Sequence, residues 1–146
     1  MNLLPTPTAL LPPSRTPPAP ASRTFPAHPE QVAQARRYLT ALMADSPALP
    51  DSAVCVSELA TNSISHSRSA RKGGSFTVTV NRTAAGWRIE VRDAGGPWQP
   101  DQDRDDIGHR GLVIVAALAA RWGIESRPRA GRTVWFEIND PPGATP

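Results

Sequence analysis

Two stretches of the chain alternate apolar and polar residues with a period of two, and segments before and after them repeat near 3.6. Phe76, Val78 and Val80 alternate with Thr77 and Thr79, and Trp87, Ile89 and Val91 alternate with Arg88, Glu90 and Arg92. With the turn Thr83-Ala84-Ala85-Gly86 between them, these are two half-buried strands of a hairpin, the second ending at Asp93. Trp122 to Ser126 and Thr133 to Ile138 read as a second hairpin around Pro128-Arg129-Ala130-Gly131. Each hairpin has one apolar face to cover, and the covering material is helical. Val32, Ala35, Leu39, Leu42 and Met43 recur at helical spacing between Pro29 and about Ala44, and Leu112, Val113, Val115, Ala116, Leu118 and Ala119 form a nearly all-apolar helix expected to be buried on most sides. Phe25 to His28 reads as a short edge strand. The order predicts an α+β fold, a two-layer sandwich of a mixed or antiparallel sheet with about three helices on one face.

The remaining helix, Asp51 to Ser67, is the most informative. Ala53, Cys55, Val56, Leu59, Ala60 and Ile64 share one broad arc, with Asp51 placed to cap the N-terminus. Glu58, Asn62 and His66 follow at i, i+4 and i+8 along the edge of that arc, so their polar ends point together where core meets solvent. Alone, such an alignment is most often an ordinary helix surface.

Composition assigns the termini. Nine of the 17 prolines fall in the first 29 residues, which contain no Asp or Glu. A stretch this rich in Pro, Ser, Thr and Ala buries too little apolar surface to offset its ordering entropy. Residues 1–24 are therefore expected to be a disordered tail, 25–139 the domain, and 140–146 a second tail. The sequence pI of about 10.0 invites a nucleic-acid reading, but removing the tail's Arg15 and Arg23 from the formal +3 leaves +1, and the remaining cations are dispersed among acids. No dense basic face results, so direct nucleic-acid binding is not expected. The single cysteine, Cys55, lies in the apolar arc and suits a reducing cytoplasm. The longest apolar run, Leu112 to Ala120, is too short to span a bilayer, and the prolines of the N-terminus interrupt any signal-peptide pattern.

Familiar catalytic motifs are missing. There is no G-x-x-x-x-G-K before the only lysine, Lys72, no G-x-S-x-G, no C-x-x-C and no H-E-x-x-H. Gly95 to Gly111 is polar, aperiodic and long for a compact domain, which marks it as functional or mobile. Four pieces remain: Glu58 with Asn62 on a helix, Asp93-Ala94-Gly95-Gly96 at a strand end, Gly108-His109-Arg110-Gly111-Leu112 entering a helix, and Gly131-Arg132-Thr133 entering the last strand. In order and spacing, over Phe25 to Ile138, they resemble the GHKL ATPase superfamily of gyrase, histidine kinases and MutL. Most similar is its single-domain anti-sigma-factor, serine-kinase branch of actinobacterial type, in which S-E-L-x-T-N-x-x-x-H, V-x-D, G-x-G-L and T-V-W-F are familiar.

The resemblance implies a Bergerat ATP-binding fold with ATP and Mg²⁺ as cofactors. It assigns Asn62 to the metal, and a neutral carboxamide oxygen suits a Mg²⁺ that draws its charge balance from phosphates. Glu58, one turn earlier, is implied as the catalytic base that takes a proton from an attacking hydroxyl. Asp93 would accept the adenine amine while Gly95 and Gly96 let the backbone approach the ring. Gly108, Gly111 and the N–H groups from Leu112 onward would cradle phosphates, with Arg110 in reach. Thr133 either completes the adenine pocket through its hydroxyl or is simply a β-branched strand residue. His66 matches the family position just past the metal ligand and is read as packing or capping rather than catalytic. The Asp93-Ala94-Gly95-Gly96 run lacks the fuller D-x-G-x-G spacing of larger members.

The function this implies is a cytoplasmic Mg-ATP-binding regulator that sequesters a sigma factor and phosphorylates a serine or threonine of an anti-anti-sigma (STAS-type) antagonist. The alternative is a non-catalytic ATP-binding module that holds partners. A homodimer through the Phe25 to His28 edge is a further expectation.

Overall fold

The computed structural model describes residues 19–66, 73–95, 106–127 and 130–140, with backbone alone at 66 and 106–110. The chain forms β1 (Ala21–Pro26), α1 (Gln31–Leu42), α2 (Leu49–His66), β2 (Ser75–Arg82), β3 (Gly86–Asp93), α3 (Asp106–Leu118), β4 (Arg121–Arg127) and β5 (Gly131–Asn139). The five strands lie in the order β1-β2-β3-β5-β4, every neighbouring pair antiparallel. The predicted α+β sandwich is therefore correct, and its sheet is purely antiparallel. No described helix is long and apolar enough to cross a membrane.

The period-two pattern sets which face is covered. Phe25, Phe76, Val78, Val80, Ile89, Val91, Val134, Phe136 and Ile138 are buried, and against them pack Ala35, Leu39 and Met43 of the α1 region, Cys55, Val56, Leu59 and Ala60 of α2, and Leu112 and Val115 of α3. Full burial of Leu39 or Leu59 contributes about 2 kcal/mol each. The opposite face is polar: the hydroxyls of Ser22 and Thr79 lie 3.0 Å apart and those of Thr24 and Thr77 2.8 Å apart. Helix order follows strand order, with α1 against β1 and β2, α2 against β2 and β3, and α3 reaching β4.

Four boundaries differ from the sequence expectation. Strand β1 starts at Ala21, inside the expected tail, and pairs with β2 through its whole length while burying only Phe25, which stacks on Phe76 at 5.5 Å between centroids. One inward anchor gives no alternation to read. Helix α2 starts at Leu49, so Asp51 sits in its first turn, where a negative charge favours the helix dipole. The start is held by the Ser46 hydroxyl, which accepts the Ala48 N–H at 3.1 Å. Asp140, assigned to the C-terminal tail, is only 8% exposed. Its Oδ2 accepts from the Ser46 hydroxyl at 2.5 Å, the Trp87 indole N–H at 3.0 Å and Arg82 at 3.2 Å, tying the α1–α2 link to the β2–β3 hairpin.

Helix α3 is the fourth difference. It begins at Asp106, six residues before Leu112, because the polar, glycine-containing first turns carry no apolar period. It is also less covered than its composition implies: Val113 is 55% exposed, and Ala116 and Ala117 are exposed.

Candidate nucleotide-binding cleft

Helix α2 crosses the sheet so that its fourth turn lies over the end of β3, and the polar residues of that turn are drawn inward rather than into solvent. Asn62 is 8% exposed and Ser63 2%, because position 63 continues the arc of Val56 and Leu59. Beneath them the helix-facing parity of β3 runs Ile89, Val91, Asp93, and that of β5 runs Arg132, Val134, Phe136. Asp93 and Arg132 are direct cross-strand partners. Leu59, Asn62, Ser63, Val91, Asp93, Leu112, Arg132 and Val134 enclose a cavity of about 10 Å³, room for one water.

Asp93 carries the charge of this cavity. Its Oδ2 accepts from the Ser63 hydroxyl at 2.8 Å and from Arg132 Nη2 at 3.2 Å, and its Oδ1 accepts the Gly95 N–H at 2.7 Å. The side chains of Arg132 and Asp93 are 7% and 3% exposed, so this is a buried ion pair with auxiliary donors. A carboxylate offers about four lone-pair positions, and three are filled, which leaves Oδ1 able to accept one more donor. Gly131 makes the arrangement possible: its φ is +90°, and a Cβ there would lie 2.1 Å from the Asp93 carbonyl oxygen. Only glycine lets β5 approach β3 this closely.

The α2 ridge meets α3 at Gly111. A Cβ on Gly111 would lie 3.0 Å from Asn62 Nδ2 and 3.4 Å from Glu58 Oε2, so the two helices close over the carboxamide and carboxylate with no side chain between them. Asn62 Oδ1 is buried and has no hydrogen-bond partner among the described residues. An orphaned buried acceptor costs about 1–3 kcal/mol unless a ligand satisfies it.

The structure therefore brings Glu58, Asn62, Asp93, Gly95, Gly111 and Leu112 together. Two expectations about the site change. Thr133 is on the far face of the sheet: it pairs with Arg92 and lines a separate surface hollow with Arg92, Glu125 and Arg127. The residue that faces Asp93 is Arg132, and the parity of Val134, Phe136 and Ile138 was the signal for it. Gly111 is not part of an anion cradle, because it is the sixth residue of α3 and its N–H lies beyond the unpaired first turn. Its role is close packing on α2. Gly108 falls within the first four residues of α3, whose N–H groups are the ones free to face an anion. Gly96 lies outside the described residues, as does the segment to 105, and His66, Gly108 and Arg110 are described by backbone alone. Sequence reasoning missed Ser63 and Arg132.

Asn62 Oδ1 fits a hard cation and the open position on Asp93 Oδ1 fits an amine donor, the two polar ends that the nucleotide of a GHKL-type site requires. No curated protein matches the chain. The family profile of the histidine kinase-like ATPase domain matches residues 25–138, from the buried Phe25 of β1 to the last inward residue of β5. The family implies ATP as the ligand of this cleft, and the chain belongs to the histidine kinase-like ATPase domain family.

Proposed function

We propose that the cleft binds ATP with Mg²⁺ and that the protein is a cytoplasmic anti-sigma-factor-like regulator, a serine/threonine kinase acting on an anti-anti-sigma antagonist. The observation that carries the reading is Asn62, a residue only 8% exposed whose Oδ1 lacks a partner among the described residues, in the same cavity as Asp93. Asn62 would hold the Mg²⁺, and Asp93 would accept from the base through the free position on Oδ1. When bound, Mg-ATP supplies a transferable phosphoryl group with its charge partly neutralised. Glu58 is half-buried beside Gly111 and one turn from Asn62, the position from which a carboxylate takes the proton of an attacking hydroxyl. The Gly111 contact excludes water from the Glu58–Asn62 pair on its α3 side.

Calorimetric titration of ATP with Mg²⁺ tests the binding half, and labelled ATP with a STAS-type protein encoded nearby tests transfer. Wild-type protein is expected to bind and transfer label, Asn62→Ala to lose binding in Mg²⁺, and Glu58→Ala to bind but transfer nothing. Absence of heat with the wild-type chain overturns the reading; binding by the wild-type chain without transfer of label reduces it to a partner-holding module.

A further inference from the structure

The two edges of the sheet are built differently. On β1 the inward residue beside Phe25 is Arg23, whose guanidinium lies 4.9 Å from the Phe25 ring centroid and 6.0 Å from that of Tyr38, and the strand ends in Pro26. An inward charge and a proline are devices that discourage further pairing. On β4 the inward residues are Trp122 and Ile124, opposite the buried Phe136 and Val134, and each is 37% exposed. Among the described residues β4 pairs with β5 alone, so its outer row of N–H and C=O groups has no strand partner among them. The uncovered apolar surface continues onto α3. Gly111 faces α2; at 100° per residue Val113, Ala116 and Ala117 point to the opposite flank, which is the β4 side because the helices follow the strand order.

We propose that β4 is a self-association edge, pairing antiparallel with β4 of a second copy about a two-fold axis through Gly123. Inward residues must face inward residues, which restricts the register to shifts of two. Centred on Gly123, Trp122 lies opposite Ile124 of the second copy, twice, and Arg121 opposite Glu125, twice. Centred on Ile124, Arg121 meets Arg127 instead; centred on Trp122, the overlap shrinks and the Arg–Glu pairs are lost. The Gly123 register alone matches apolar with apolar and opposite charge with opposite charge, each such pair being favourable in a sheet. The axis stands perpendicular to the sheet, so both helical layers lie on one side. The two α3 flanks then face each other across a trough floored by Trp122 and Ile124, and the two sheets join into one of ten strands.

Sedimentation of the full chain across a concentration series, with circular dichroism as the folding control, tests this. Wild type is expected to form dimers. Glu125→Arg, which sets arginine against Arg121, is expected to weaken the dimer about tenfold or more, and the Arg121→Glu, Glu125→Arg double variant to recover it. Ile124→Lys is expected to be a folded monomer. A wild-type chain that stays monomeric near millimolar concentration overturns the proposal. So does a dimer that survives Ile124→Lys, or one that dissociates when Thr24 of β1 is replaced by proline while the β4 variants remain dimeric.

Discussion

Replacing Arg132 with alanine probes the cleft through its most strongly coupled pair. The guanidinium and the Asp93 carboxylate are 7% and 3% exposed at 3.2 Å, so truncation leaves a carboxylate buried without its counter-charge. Breaking a buried pair in this way costs about 3–5 kcal/mol. Ser63 and Gly95 still donate to the carboxylate, which places Arg132→Ala at the low end, about 3 kcal/mol. With unfolding entropy near 2.1 cal/mol/K per residue over about 104 described residues, each kcal/mol lowers Tm by about 4.6 °C, so the expected drop is about 14 °C. Asp93→Ala should cost at least as much, because it removes the acceptor of three donors. The double variant leaves neither charge buried and should be less destabilised than the sum of the singles by about 1–3 kcal/mol. Urea unfolding of all four proteins measures this cycle. A single-variant loss below about 1 kcal/mol, or strict additivity, would show that the pair is solvated and refute its description as a buried ion pair.

Two further tests concern titratable groups elsewhere. Burial, reinforced by Asp51 and Glu58, pushes the Cys55 thiol up to about 12, so at pH 8 it is both protonated and enclosed. A disulfide reagent should label it at least about a thousandfold more slowly in the native protein than in urea; equal rates would contradict its burial. The Ser46 hydroxyl, the Trp87 indole and then Arg82 hold the Asp140 carboxyl below its usual range. A depressed carboxylate stabilises fully above the unfolded value near 4 and ceases to do so as pH falls through the folded value. Denaturation between pH 2 and 6 should therefore show a shallower acid limb in Asp140→Asn than in wild type, and parallel limbs would exclude this role.

The parts of the fold legible in sequence are those where burial imposes a strict period. Strands β2, β3 and β5 each bury alternate residues, and α1 and α2 carry clear stripes. The first turns of α3 were hidden because their helicity accompanies the packing of Gly111 on α2, a contact between residues nearly fifty positions apart. β1 was truncated for a similar reason: its pairing with β2 is complete, but Phe25 is its one buried side chain. In the cleft, Glu58 and Asn62 were found because they align along the edge of a helical stripe, whereas Arg132 stood next to a more suggestive threonine. Strand parity, applied to Val134, Phe136 and Ile138, distinguishes the two.

The strand order has a consequence for synthesis. β3 lies between β2 and β5, and β5 is made only after the whole α3 excursion, yet it supplies both the glycine that admits Asp93 and the arginine that neutralises it. A nascent chain can close the β2–β3 hairpin early, but its pocket cannot exist until Arg132 has left the ribosome. During that interval the exposed flank of β3 is the place where a chaperone has most to protect.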